Sequence, residues 1–252
     1  MAVPEHAATT AYVAAMTTAP DATRRGHINA LIAGLDADGD WTGLDWIVCL
    51  AAHDVEGGAS QAGRLNMRNP AKSLAAVNSP TFSSLGVVGD GATSYLTASE
   101  AANASGNSYS QNSASMGVWC NQMSATAGNV SHAGNPNSST RQRLSPGTTT
   151  GSHRIQDATS LTYDEGGSRV GGRILTRTGA TTKILYKNGS AVASDLVTTS
   201  SVMQGEHMTV LRAGTGYCDD RLSFWFTGGG LSAAAVARVH ARVATFLTAI
   251  GA

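Results

Sequence analysis

Charge is scarce in this sequence. Asp, Glu, Lys and Arg together make 13% of the 252 residues, about half the share of an ordinary soluble domain. The signs cancel, 17 basic against 17 acidic, so the chain lacks the basic surplus that drives binding to nucleic-acid phosphates. Cysteine is nearly missing. Cys49, Cys120 and Cys218 are odd in number, far apart and without C-x-x-C spacing, which argues against a disulfide framework or a zinc site and for buried free thiols. No apolar run is long enough to cross a bilayer, since Leu44 to Ala52 is short and broken by Asp45. The opening Met-Ala-Val-Pro-Glu-His has neither the basic nor the apolar region of a signal peptide. The expectation is a soluble protein made in the cytoplasm, with no membrane insertion.

Catalytic signatures are also missing. There is no G-x-S-x-G turn for a serine nucleophile and no H-E-x-x-H or other ligand spacing among the histidines. Neither a metal nor a cofactor is expected. Asp36, Asp38 and Asp40 alternate like the start of a calcium loop, but Trp41 and Ile47 stand where that loop needs Gly and Glu. They are expected to form a solvated acidic helix end. Of the acid pairs that could serve a glycoside hydrolase, Asp54/Glu56, Asp164/Glu165 and Asp219/Asp220, only the first has the strand parity to point both groups into one cleft.

What is abundant is Gly, Ala, Ser and Thr. The first fifty residues read as helical: Ala7 to Met16, then a helix capped by Asp21 with Ile28, Leu31, Ile32 and Leu35 at helical spacing and Gly39 at its end. From about Asn66 short β-prone runs alternate with turn residues, as an all-β sandwich requires. The strand candidates are Val87-Val88, Tyr95-Leu96, Met116–Cys120, Ser168–Arg177, Thr182–Lys187, Met208–Arg212 and Leu222–Phe226. Asn188-Gly189 supplies the positive φ angles of a tight hairpin. Residues 98 to 151 are crowded with Ser, Asn, Thr and Gly and read as long surface loops around one strand. A helix over 232–250 closes the chain, with Val236, Val239, Val243, Phe246, Leu247 and Ile250 on one face. It must dock on a sheet face or on the N-terminal helices.

Four stretches carry a family likeness. They are the opening TTAYVAAMTTAPDATRRGHINALIAGLDADGDWTGLD, then VNSPTFSSLGVVGDGATSYLTAS from Val77, RILTRTGATTKILYKNGSAVASD from Arg173, and GGGLSAAAVARVHARVATFLTAIGA from Gly228. Together they resemble phage and prophage proteins with a concanavalin-A-like (LamG-like) lectin/glucanase domain. The resemblance implies a mainly β, jelly-roll β-sandwich with a helical N-terminal segment and a C-terminal helix. The expected division is residues 1–47 as a docking or oligomerising segment and residues 48–252 as the sandwich. The role it implies is a non-catalytic virion component, a fibre, spike or decoration protein. Its expected partners are other capsid or tail proteins, a host-cell glycan and further copies of itself.

Sugar binding needs exposed aromatic platforms and planar polar groups. Alternation places Trp119 opposite Met116, Val118 and Cys120, and Trp225 opposite Leu222, Phe224 and Phe226. Trp225 is expected beneath the closing helix. Trp119, with Arg154 and Tyr163 as companions, is the candidate carbohydrate site.

Overall fold

The computed structural model describes residues 4–126, 128, 130–136, 142–203 and 205–252. Three α-helices are present among them: α1 (Ala7–Ala14), α2 (Ala22–Ala37) and α3 (Ala233–Ala249). The first strands are β1 (Leu44–Cys49), β2 (Leu74–Val77), β3 (Thr81–Ser83), β4 (Gly86–Val88), β5 (Tyr95–Ala101) and β6 (Ala114–Gln122). Next come β7 (Ala133–Gly134), β8 (Gln142–Ser145), β9 (Thr150–Ile155), β10 (Leu161–Asp164), β11 (Gly171–Arg177) and β12 (Lys183–Lys187). The last are β13 (Ser190–Asp195), β14 (His207–Val210), β15 (Arg212–Ala213), β16 (Gly216–Tyr217) and β17 (Arg221–Gly228).

Two antiparallel sheets face each other. One has eight strands in the order β13-β12-β11-β6-β17-β4-β3, with β1 also paired to β17. The other has seven, β10-β9-β8-β7-β14-β5-β2. This is the concanavalin-A-like β-sandwich with helices at both ends of the chain that the sequence led us to expect. The Asn188-Gly189 turn joins β12 to β13, with φ of 51° and 81° at the two residues. The stretch 98–151 is less loop-like than expected, because β7, β8 and β9 lie in or at the end of it. Their short runs of mixed composition have weak β pattern and are set by cross-strand pairing.

Two apolar cores result. Between the sheets lie Trp46, Val48, Leu96, Met116, Val118, Leu175, Leu185, Leu222 and Trp225, among others. On the outer side of the eight-stranded sheet, Trp119, Ile174, Phe224 and Phe226 meet Ile28, Leu31 and Leu35 of α2 and Val236, Val239, Val243, Phe246 and Leu247 of α3. Burying each large apolar side chain stabilises the fold by about 1.5–3 kcal/mol. The caps follow from sequence: Asp21 accepts from Arg24 N at 2.7 Å and Ser232 from Ala235 N at 3.2 Å. Asp38 and Asp40 are not solvated as expected. Asp40 takes a two-pronged bond from Arg238 at 2.8 and 3.0 Å, and Asp38 one from Arg242 at 2.9 and 3.2 Å. The polar face of α3 thereby clamps the end of α2. Among the described residues up to 47, the large apolar side chains Tyr12, Val13, Ile28, Leu31, Ile32, Leu35, Trp41, Leu44, Trp46 and Ile47 are likewise spent inside the molecule, and β1 crosses the expected boundary at 47.

The interior is not uniformly apolar. On β11 and β12, Leu175 pairs with Leu185, while Arg173 pairs with Lys187 and Arg177 with Lys183. Alternation turns all six toward the other sheet. Asp157 answers one cation pair, bonding Arg177 and, at 2.9 Å, Lys183. Glu165 answers the other, bonding Arg173 at 2.6 and 3.0 Å and approaching Lys187 to 3.2 Å. Arg173, Arg177, Lys183 and Asp157 are all at most 1% exposed. Removing one partner of such a pair leaves buried charge uncompensated, at a cost of about 3–5 kcal/mol. Asp157→Asn is therefore expected to lower unfolding stability by that amount in urea titration, whereas an exposed-acid control such as Asp164→Asn stays within about 0.5 kcal/mol.

Candidate functional site

The three residues expected to form a sugar site do not meet. Trp119 is 5% exposed. It stacks on His240 of α3 at 5.9 Å between ring centroids and meets Phe224 edge-on at 5.7 Å. The expectation for the two tryptophans is reversed: α3 covers Trp119, and Trp225 points between the sheets onto Trp46 at 6.0 Å. The parity was legible, but not which face the helix takes. A bulge between Leu222 and Phe224 puts Leu222 in the inter-sheet core with Trp225 and leaves Phe224 and Phe226 under the helix. Tyr163 packs at the margin of the inter-sheet core, with the Lys187 ammonium 5.7 Å from its ring. Arg154 lies on the opposite, outer face of the same sheet.

The acid pairs resolve by alternation too. Asp164 is exposed and Glu165 buried; Asp220 is fully buried. Asp54 accepts from Ser60 and from the backbone N–H of Gln61 and Ala62 at 3.0 and 2.9 Å, so its carboxylate is used to hold a turn. Glu56 is exposed, in a bridge to Ala59.

Asp220 is the centre of a third buried cluster. Arg169 donates to it at 2.8 and 2.9 Å, His132 Nε2 at 2.8 Å and Ser124 N at 2.7 Å. Cys120 Sγ comes close enough for Cys120, His132 and Asp220 to offer donor atoms within 4.8 Å of one another. The chemistry of the set does not suit a cation. Arg169 already neutralises Asp220, and burial pushes the Cys120 thiol up to about 12, so it stays protonated. The cluster is an ion pair with a histidine donor. All three cysteines are buried free thiols, as expected.

The accessible chemistry is on the outer face of the seven-stranded sheet. Register carries one row across it: Ala75 pairs with Thr97, Thr97 with Thr209, Thr209 with Gly134, Gly134 with Arg143, and Arg143 with Arg154. The β15–β16 hairpin lies over the middle of this row. It can do so because Gly134 has no side chain; a Cβ there would stand 2.6 Å from the Cβ of Ala213. Ser131 Oγ bonds Ala213 O at 3.4 Å and Ser145 Oγ at 3.0 Å beneath it. The hairpin holds Arg212 against two half-buried tyrosines, its guanidinium 4.7 Å from the Tyr95 ring and 5.3 Å from Tyr217. On the hairpin's other flank, Arg143 Nη2 donates to Ser152 Oγ at 2.6 Å, Ser152 to Ser160 at 3.0 Å, and Arg154 Nε to Ser160 at 2.9 Å. Sequence reading missed Tyr95 and Tyr217 as a pair, because only the fold brings residues 122 positions apart together. Their one sequence signal was an aromatic at an outward strand position, which Tyr95 shows and Tyr217 does not.

A scan against protein-family models and a search of curated proteins both found no match. Solved structures do match. The Trypanosoma rangeli sialidase in complex with 2,3-difluorosialic acid superposes with a TM-score of 0.58 at 10% identity, over 86% of this chain and 37% of the sialidase. The botulinum neurotoxin serotype D binding domain gives 0.54 at 12% identity, over 80% of this chain and 52% of that one. The receptor binding domain of the botulinum neurotoxin C/D mosaic serotype gives 0.57 at 10%, over 80% and 51%. This chain therefore spans about half or less of each of these proteins. The likeness defines the class: a lectin-like β-sandwich.

The buried histidines make stability depend on pH. Burial disfavours the imidazolium of His132 and His153 and pushes both below their ordinary value. The unfolded chain takes up these protons as pH falls through about 6.5. The folded chain does not, so stability declines from there downward. Burial opposes ionisation of Glu165, but His153 and Arg173 outweigh it and hold the carboxyl to about 2. Its stabilisation is complete above about pH 4.3 and lost between there and about pH 2. The urea midpoint is expected to fall in two stages, below about pH 6.5 and again below about pH 4.3. A midpoint unchanged between pH 7.5 and 5.5 would contradict neutral buried imidazoles.

Proposed function

We propose that this chain is a non-catalytic, glycan-binding module displayed on a bacteriophage particle as part of a fibre, spike or decoration protein. The observation that carries the binding reading is the Tyr95–Arg212–Tyr217 cluster, half-buried on a sheet face that, among the described residues, no helix covers. A tyrosine ring offers an apolar face to the C–H side of a sugar and a hydroxyl to its rim. The arginine between the rings fixes them and supplies donors. The lectin-like sandwich supports the reading at the level of fold, and the four sequence stretches that resemble phage proteins support the particle setting. The helix-covered face is closed by its own core, which leaves the opposite sheet for a ligand.

Glycan-array and host-cell binding by the full chain, with Tyr217→Ala alongside, tests this. Specific binding that weakens about tenfold or more in the variant, the scale of one lost aromatic contact and its hydrogen bond, is the expected result. Absence of binding by folded protein would leave a decoration protein without a ligand. Binding unaffected by Tyr217→Ala and Tyr95→Ala would place the glycan elsewhere.

A further inference from the structure

On the glycan-binding reading above, we infer that Arg143 and Arg154, with Ser152 and Ser160, form a site for a carboxylate-bearing sugar on the outer face of the seven-stranded sheet. The two arginines are directly opposed across β8 and β9. Like charges in that position repel, and the fold accepts them side by side. All four side chains are half-buried rather than fully solvated. The serines do not neutralise anything; they orient the two guanidinium groups through the bonds Arg143–Ser152–Ser160–Arg154.

No carboxylate answers Arg143 among the described residues. Its hydrogen-bond partner is the Ser152 hydroxyl, and its Nε is buried with no partner at all. The sequence explains the shortage: no acidic residue occurs from 101 to 156, the stretch that supplies β8 and β9. Asp164, which β10 directs to this face, is four residues beyond Ser160, about 13 Å along the strand, and caps Gly166 N instead. Half-burial and the neighbouring Arg154 both press the Arg143 guanidinium below its ordinary value, as expected where positive charge is uncompensated.

A guanidinium presents its donors in a planar fork matched to a planar carboxylate. The Nε of Arg143 is shut off from solvent, so a carboxylate would meet this group through its Nη donors. From β5 to β8 is three strand spacings, about 14 Å, so Tyr95 and Arg143 lie close enough for one sugar chain to reach both. The tyrosines would take a sugar face and the arginines an acidic substituent.

The test uses calorimetric titration of the full chain with oligogalacturonate and alginate oligomers, with the same oligomers after reduction of their carboxylates to alcohols, and with a sulfated galactan. Expected are binding to at least one uronate chain and binding about tenfold or more weaker to its reduced form, equivalent to one charge-assisted hydrogen bond. Arg143→Gln should lose the same factor for the uronate, with unchanged thermal unfolding, and leave the reduced chain unaffected. Arg154→Gln serves as the second variant if the first does not fold. Equal affinity for charged and reduced chains, or insensitivity to both variants, overturns the inference while the glycan reading stands. Tighter binding of the sulfated chain overturns the carboxylate assignment. Failure to bind any glycan on the array overturns the underlying reading itself.

Discussion

Val236, Val239, Val243, Phe246 and Leu247 of α3 lie on Trp119, Phe224 and Phe226, and the accessible surface of the whole molecule is arranged by that contact. A sandwich has two outer faces. Here one is sealed by a helix layer that the chain supplies from both ends, α1 and α2 before the sandwich and α3 after it. Arg238 and Arg242 fix the layer by gripping Asp40 and Asp38. Ion pairs whose arginines reach solvent add little on their own, yet they decide how α3 is rotated and so which of its faces meets the sheet. With that face closed, chemistry directed at solvent has to come from the seven-stranded sheet, from its edges, or from the loops at the ends.

The interior raises a different question, because part of it is ionic. Arg173, Arg177, Lys183 and Lys187 project inward on either side of the Leu175–Leu185 pair. An apolar filling of similar volume is often at least as stable as a buried ion pair. What the charges add is registration. If β11 slipped by one residue, Arg173 and Arg177 would turn toward α3 and Ile174 toward Asp157 and Glu165, and each change would bury unpaired charge. The acids come from the connection after β9 and from the residue just after β10, so the same bonds set the spacing between the two sheets at this end. A chain so rich in Gly, Ser and Ala has few large side chains to enforce register by shape, and charge takes over that function.

Much of this was legible in the residues. The helix caps at Asp21 and Ser232, the Asn188-Gly189 hairpin, the closing helix and most of the longer strands follow from local pattern, and local pattern is what the sequence displays directly. The short strands β7 to β10 were not legible, since runs of two to six residues carry little β pattern and their pairing is decided by neighbours far away in the chain. The ionic interior was hidden for a related reason. Arg173 and Arg177 on an otherwise apolar strand look like solvent-facing alternation, and only the second sheet reveals that their side faces inward. Trp119 failed as a sugar platform because alternation assigns sides without naming them; the helix that claims its side begins more than a hundred residues later.

The scarcity of charge gives the outer face its meaning. In a chain with few ionic groups, many acids are already committed: Asp157, Glu165 and Asp220 inside, Asp38 and Asp40 under α3, Glu5 on Arg25 and Glu100 on Lys72. Arg212 is held by aromatic rings and Arg143 by a hydroxyl, on the one sheet face that stays open. Ring faces and hydroxyls offset only part of the desolvation of a half-buried cation that no carboxylate meets among the described residues. On the reading proposed above, the ligand supplies the rest. That the residues around them are small, hydroxylated and fixed by pairing means the site is preorganised: the arginines need not be gathered when a ligand docks, and little side-chain entropy remains to be lost.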